Sequence, residues 1–153
     1  MTQHTHDQTM TTQRILGLDI GGANIKLASH DGHYVRSIPF PMWSRSATLK
    51  DTIRDLLCTY QTEQGRFDAL AVTMTGELAD CFTSKQQGVL YIVQATSAGA
   101  AAASDSARVF FYETGGQWSM PRQAQLGGIH SQPPIGMPWL NIVARYYPKE
   151  PIY

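Results

Sequence analysis

The stretch from Arg14 to His30, R-I-L-G-L-D-I-G-G-A-N-I-K-L-A-S-H, constrains the fold more than any other. Ile15, Leu16, Leu18 and Ile20 form a short apolar run with one acid, Asp19, shortly before Gly21-Gly22, and a second run, Ile25 to Ala28, follows. Two apolar runs separated by glycines read as strand, tight turn, strand. Glycines at the turn permit positive φ and close approach of the backbone to a ligand, and consecutive amides there can form an anion-binding nest. An acid beside such a nest repels a bare phosphate. A divalent cation held through water at Asp19 reconciles the two, with Lys26 balancing phosphate charge. The same spacing also fits an ordinary hairpin with an exposed Asp and Lys.

The chain after this hairpin alternates strands and helices. Asp31-Gly32 is a further turn signal, and His33 to Phe40 continues as a third strand until Pro39 and Pro41, which cannot donate to a sheet ladder, end the meander. Phe40 and Trp43 beside these prolines either line a groove or close the edge of the core. From Thr48 to Gln61, Leu49, Ile53, Leu56, Leu57 and Tyr60 recur at helical spacing, and Thr48 with Asp51 approximates a capping arrangement. Phe67 to Met74 reads as a strand buried on both faces. Val89, Ile92, Val93 and Thr96 fit either a strand or a helix running into the alanines up to Ala103; the helix is preferred, because it supplies the crossover to the next strand, Arg108 to Glu113. Beyond Gly115-Gly116 the pattern weakens, with Trp118 in a short extension, a helix from Pro121 to Leu126, a loop from Gln132 to Pro138 and helical spacing again from Trp139 to Tyr146.

A second motif, A-V-T-M-T-G-E-L-A-D-C-F, spans Ala71 to Phe82. Thr73, Thr75, Gly76, Glu77 and Asp80 cluster at the C-terminal end of the buried strand, where α/β sheets place ligands. Glu77 and Asp80 lie three apart, so on a helical turn their carboxylates share a face and can hold a cation or take a proton. An acid that merely begins a helix is the alternative reading of Glu77.

Composition narrows the function classes. With 153 residues and ordinary apolar content, one domain with a real core is expected. Twelve acidic and twelve basic side chains leave no broad cationic face, which argues against nucleic-acid or anionic-membrane partners. Cys58 and Cys81 suit neither a disulfide framework nor a zinc site, and no apolar run approaches transmembrane length, so a cytoplasmic location is expected. Residues 1–13, rich in Thr, Gln and His, bury almost nothing and read as a disordered tail, in which His4 and His6 are solvated.

The opening motif L-G-L-D-I-G-G-A-N-I-K resembles the first phosphate motif of the actin, sugar kinase and Hsp70 superfamily. Joined to the second motif, it resembles the hydantoinase-A-like family of tetrahydromethanopterin-linked C1 transfer proteins, which includes a methanofuran biosynthesis enzyme forming a furan–tyramine ether. The resemblance implies an α/β, ribonuclease-H-like, actin-type N-terminal lobe, β-β-β-α-β-α-β, over residues 14–113, with 114–153 leading toward a second lobe. It implies a transferase that moves a furanylmethyl group from its diphosphate to the phenol of glutamyl-tyramine and releases pyrophosphate. In that scheme Asp19 holds Mg²⁺, Gly21, Gly22, Ala23, Asn24 and Lys26 bind the diphosphate, Thr75 and Gly76 touch substrate, and Glu77 or Asp80 deprotonates the phenol. A second phosphate motif of the form D-I-G-S-T-T-T-D is expected after a segment like 144–153 and is absent, so a C-terminal half or a homo-oligomer is an expected partner and the chain alone is expected to be inactive. An ATP-dependent sugar-kinase-like or hydantoinase/oxoprolinase-like enzyme, with a nucleotide in the same nest, and an inactive binding or assembly module are the alternatives.

Overall fold

The computed structural model describes residues 12–112 and 116–121. The expected N-terminal tail up to residue 11, and the expected loop and helices after Pro121, lie outside these residues. Strand β1 (Ile15–Ile20) turns into β2 (Asn24–Ser29) and then β3 (Val35–Pro39). A short helix α1 (Met42–Arg45) and a 3-10 turn (Ser46–Thr48) lead into α2 (Leu49–Gln64). Strand β4 (Ala69–Met74), a 3-10 turn (Gly76–Leu78), α3 (Lys85–Ala103), β5 (Arg108–Tyr112) and β6 (Trp118–Ser119) follow. The sheet is mixed, six strands in the order β3-β2-β1-β4-β5-β6. β1 pairs antiparallel with β2 and parallel with β4, and β4 pairs parallel with β5.

Alternation along the strands sorts side chains onto two faces. Leu16, Leu18 and Ile20 stand opposite Leu70, Val72 and Met74, and Val109 and Phe111 extend that row. These residues form one cluster with Leu49, Ile53 and Leu57 of α2 and Val89, Ile92 and Val93 of α3. The other set, Ile15, Gly17 and Asp19 opposite Ala69, Ala71 and Thr73, points to the opposite face. β4 is buried at every position, as expected for a strand flanked by parallel neighbours. No helix among the described residues is long and apolar enough to cross a membrane.

Some local features depart from the sequence reading and others agree with it. Thr48 does not cap α2: its backbone closes the preceding 3-10 turn at φ −98° and ψ 5°, outside the extended region that a capping residue adopts, and its hydroxyl donates to the Arg45 carbonyl at 2.9 Å. The helix preferred over a strand for Val89–Ala103 is present and begins earlier, at Lys85. Ser84 caps it, accepting from the Gln87 amide at 3.1 Å, while the Gln87 side chain accepts from the Thr83 amide at 2.6 Å. The pattern Ser-x-x-Gln at 84–87 announces this start. Phe40 is fully buried, with the Arg45 guanidinium 5.4 Å from its ring centroid, whereas Trp43 is exposed. Cys58 and Cys81 are both free and exposed.

Two predictions follow from this packing. Leu57 is fully buried, so Leu57→Ala is expected to destabilise by about 2–5 kcal/mol, read as a lowered urea midpoint. The second concerns Asp68, which accepts from the Arg14 amide at 2.9 Å and anchors the start of β1; that bond, the largest influence on it, holds its carboxyl below the usual range. A lowered native pKa gives stability that is present above the unfolded value and is lost as pH falls through the native one. Asp68→Asn should therefore cost stability at neutral pH, where the lowered carboxyl is ionised, and flatten part of the acid-induced fall in the urea midpoint as pH drops below the ordinary aspartate range.

Candidate functional site

The parallel register of β1 and β4 assembles the candidate site. It sets Asp19 beside Thr73, and the Thr73 hydroxyl donates to Asp19 Oδ1 at 3.3 Å. The antiparallel register of β1 and β2 sets Lys26 opposite Asp19, with Nζ 3.5 Å from Oδ2. Acid, cation and hydroxyl thus share the sheet face away from the two helices. Asp19 retains 17% side-chain exposure and Lys26 48%, so the pair is accessible and partly screened by water.

The turn Gly21–Ala23 is braced from one side. The amides of Phe40 and Met42 donate to the carbonyls of Ala23 and Gly22 at 2.8 and 2.9 Å. Peptide planarity then directs the Ala23 and Asn24 N–H groups away from that bracing segment. Ala23 and Asn24 are exposed, and Gly21 and Gly22 partly so. The expected positive φ is not what makes glycine suitable here, since neither Gly21 nor Gly22 is among the positive-φ glycines. Around Gly22 an added Cβ would meet nothing within 4 Å among the described residues, which leave the space over its backbone open.

The second motif abuts the first. The Thr75 amide donates to the Ile20 carbonyl at 2.9 Å, continuing the β1–β4 pairing past the strand ends. At Gly76 an added Cβ would lie 2.9 Å from the Gly21 carbonyl oxygen and 2.9 Å from Met42 Cε, which is why this position is glycine. Glu77 and Asp80 are not brought together as the sequence spacing suggested. The 3-10 turn ends at Leu78, Ala79 is extended with ψ 144°, and the two acids separate: Glu77 is 1% exposed and Asp80 is exposed. Glu77 is sealed beneath α3, where an added Cβ on Gly88 would approach the Glu77 carbonyl to 2.5 Å. The shared-face expectation fails because the turn is a single 3-10 turn rather than a continuing helix.

The carboxylate of the site, Asp19, lies against Lys26 and Thr73, and no group of three or more His, Cys, Asp or Glu residues that could hold a metal occurs among the described residues. That donor set suits a magnesium ion carried largely by water and ligand oxygens, not a cage made by the protein. What sequence reasoning missed is the bracing segment 40–42. Its amide contacts with the glycine turn have no signature beyond the prolines around it.

No family model matches the chain. It is 43% identical, over 81 residues, to the (4-{4-[2-(gamma-L-glutamylamino)ethyl]phenoxymethyl}furan-2-yl)methanamine synthase of Methanocaldococcus jannaschii; the match takes in 52% of this chain, which spans 22% of the length of that relative. Among solved structures, T. thermophilus RuvC in complex with Holliday junction substrate superposes with a TM-score of 0.42 at 14% identity, covering 66% of this chain and 64% of that one, a likeness too loose to bear on fold or function.

Crowding at Gly76 and open space at Gly22 give opposite expectations for the same change. Gly76→Ala should destabilise by about 1–3 kcal/mol, because the Gly21 carbonyl is backbone and must shift. Gly22→Ala should stay within about 0.5 kcal/mol of the parent. Urea midpoints of the two variants check both.

Proposed function

We propose that this chain is the N-terminal, ribonuclease-H-like and actin-type lobe of a transferase of methanofuran-type cofactor synthesis, and that the edge formed by its two motifs binds a diphosphate. The observation that carries the reading is the meeting of Asp19, Lys26 and the glycine turn with Thr73, Thr75 and Gly76 at one sheet edge. The likeness to the archaeal synthase, whose name describes a phenoxymethyl-furan ether, supports the choice of chemistry.

The reaction proposed joins the phenol oxygen of a glutamyl-tyramine to the methyl carbon of a furanylmethyl diphosphate. The carbon–oxygen bond to the diphosphate breaks and pyrophosphate leaves. Stabilising that leaving group is the main demand, and the amides of Gly22, Ala23 and Asn24 together with Lys26 are assigned to it. Lys26 lies 3.5 Å from Asp19, so both side chains are kept beside the turn rather than dispersed in solvent. A magnesium ion bound by Asp19 would supply further charge neutralisation for the diphosphate. Of the two acids singled out for the phenol proton, Asp80 is assigned the role, since the burial of Glu77 keeps it from solvent and from a ligand at the edge. Thr75 is exposed at the same edge and is assigned to substrate contact.

Calorimetric titration of the 153-residue chain with pyrophosphate, with and without Mg²⁺, tests this. Asp19→Asn should weaken the Mg²⁺-dependent binding by roughly tenfold or more while leaving the urea midpoint little changed. Gly22→Ala should weaken pyrophosphate binding despite its intact stability, because its methyl group occupies the space above the turn. Equal affinity in parent and both variants would remove the diphosphate assignment.

A further inference from the structure

The sheet has a second face, away from α2 and α3, and the strand register gives that face its shape. Val35 pairs with Ala28, Ala28 with Gly17, Gly17 with Ala71 and Ala71 with Phe110, so these five stand in one row across five strands. Paired residues point to the same side, and the row therefore runs from a large side chain through small ones or none to a large one again. That is a trough. Its walls are about 19 Å apart at the ordinary strand spacing, and a helix with its side chains is about 10–12 Å wide. Two hollows lie along it, one of about 180 Å³ lined by Ile15, Ala69, Ala71, Phe110 and Trp118 among others, and one of about 40 Å³ to which Gly17, Ala28 and Val35 contribute. At Gly17 an added Cβ would meet, among the described residues, the Ala28 carbonyl at 3.9 Å, an ordinary contact, so packing within the sheet does not demand glycine here. The register of β1 with both neighbours is continuous, without a bulge at Gly17, which leaves close approach of another backbone as the reason for a glycine inside the strand.

We propose that this trough is the seat of the chain's own segment 139–146, laid across it as a helix, whatever the glycine turn binds. Trp139, Ile142, Val143 and Tyr146 recur at i, i+3, i+4 and i+7, one apolar stripe, with Asn141 and Arg145 opposite it. Such a stripe has to be buried against another element. The other face of the sheet is already taken by Leu49, Ile53 and Leu57 of α2 and Val89, Ile92 and Val93 of α3. The described residues run to Pro121, shortly after Trp118 of β6, which lines the larger hollow and holds its ring 5.1 Å from that of Tyr112. From there residues 122–138 reach about 56 Å when fully extended, ample to bring 139–146 over the trough. Ile15, Phe110 and Trp118 are only half-buried, so a seated stripe removes apolar surface from water. The next row along the same face carries Lys26, Asp19 and Thr73, and the seated helix would border the candidate site.

Spin labelling of the full chain tests this. Cys58→Ser and Cys81→Ser remove the two exposed thiols, Asn141→Cys carries a nitroxide on the side opposite the stripe, and alanine methyl groups are ¹³C-labelled. The Ala69 and Ala71 methyl signals, from the trough, should lose most of their intensity, while those of Ala100 and Ala103, on α3 beyond the sheet, keep most of theirs. Ile142→Asp in the same spin-labelled chain should restore the Ala69 and Ala71 signals with the Ala100 shift unchanged, and Ile142→Leu should leave them broadened. Full intensity at Ala69 and Ala71 in the spin-labelled parent, or equal losses in the trough and on α3, overturns the proposal, as does broadening that persists in Ile142→Asp. A mixture of spin-labelled chain without ¹³C and spin-free chain with ¹³C probes the other occupant: broadening of Ala69 and Ala71 there assigns the trough to a second copy and overturns the intramolecular seat. Should Ile142→Asp unfold the chain, seen as loss of the Ala100 shift, the pattern in the spin-labelled parent and in the mixture decides.

Discussion

Everything at the candidate site depends on the parallel pairing of β1 with β4. Strands so distant in sequence meet only after α2 has returned the chain across the sheet, and once paired they fix Asp19 next to Thr73 and Ile20 next to Met74. The pairing runs on through the Thr75 amide to the Ile20 carbonyl. A slip of one residue would turn Leu16, Leu18 and Ile20 away from the core and move Asp19 into it. The full burial of those three residues makes the register costly to change, so the core itself specifies the position of the acid.

The edge combines a tight side with an open one. On the tight side, Gly76, Gly21 and Met42 are packed so closely that a methyl group cannot be added at Gly76 without moving backbone. On the open side, a Cβ added at Gly22 would meet nothing within 4 Å among the described residues. This asymmetry is what a rigid ligand site requires, because donors must be fixed before the ligand arrives and the approach must stay free. Lys26 held at 3.5 Å from Asp19 gives the edge balanced charge at low cost in solvation, since both groups keep contact with water.

Much of the fold was readable in the chain because its periodicities are clean. The two apolar runs about Gly21-Gly22, the helical spacing from Leu49 to Tyr60 and the buried run at Ala69–Met74 each indicate one element type, and the requirement of a crossover between parallel strands settles the ambiguous Val89–Ala103 segment as helix. Local capping was less readable. Thr48 has the right residue type but closes a 3-10 turn, while Ser84 and Gln87 carry the working cap in a segment with little other signal.

The candidate site divides along the same line. Sequence by itself determined which residues bear charge and which leave backbone bare, namely Asp19, Lys26 and the glycines at 21, 22 and 76, because those properties belong to the residue type. It also determined their separation into two motifs. Tertiary structure alone decided that Glu77 is buried and Asp80 exposed, since the 3-10 turn that carries Glu77 ends at Leu78, before Asp80. It decided too that Phe40 enters the core while its neighbour Trp43 stands in solvent. The physical reason is common to these cases: burial depends on which distant segment packs above a residue, and neither α3 over Glu77 nor the segment 40–42 against Gly22 can be inferred from local spacing.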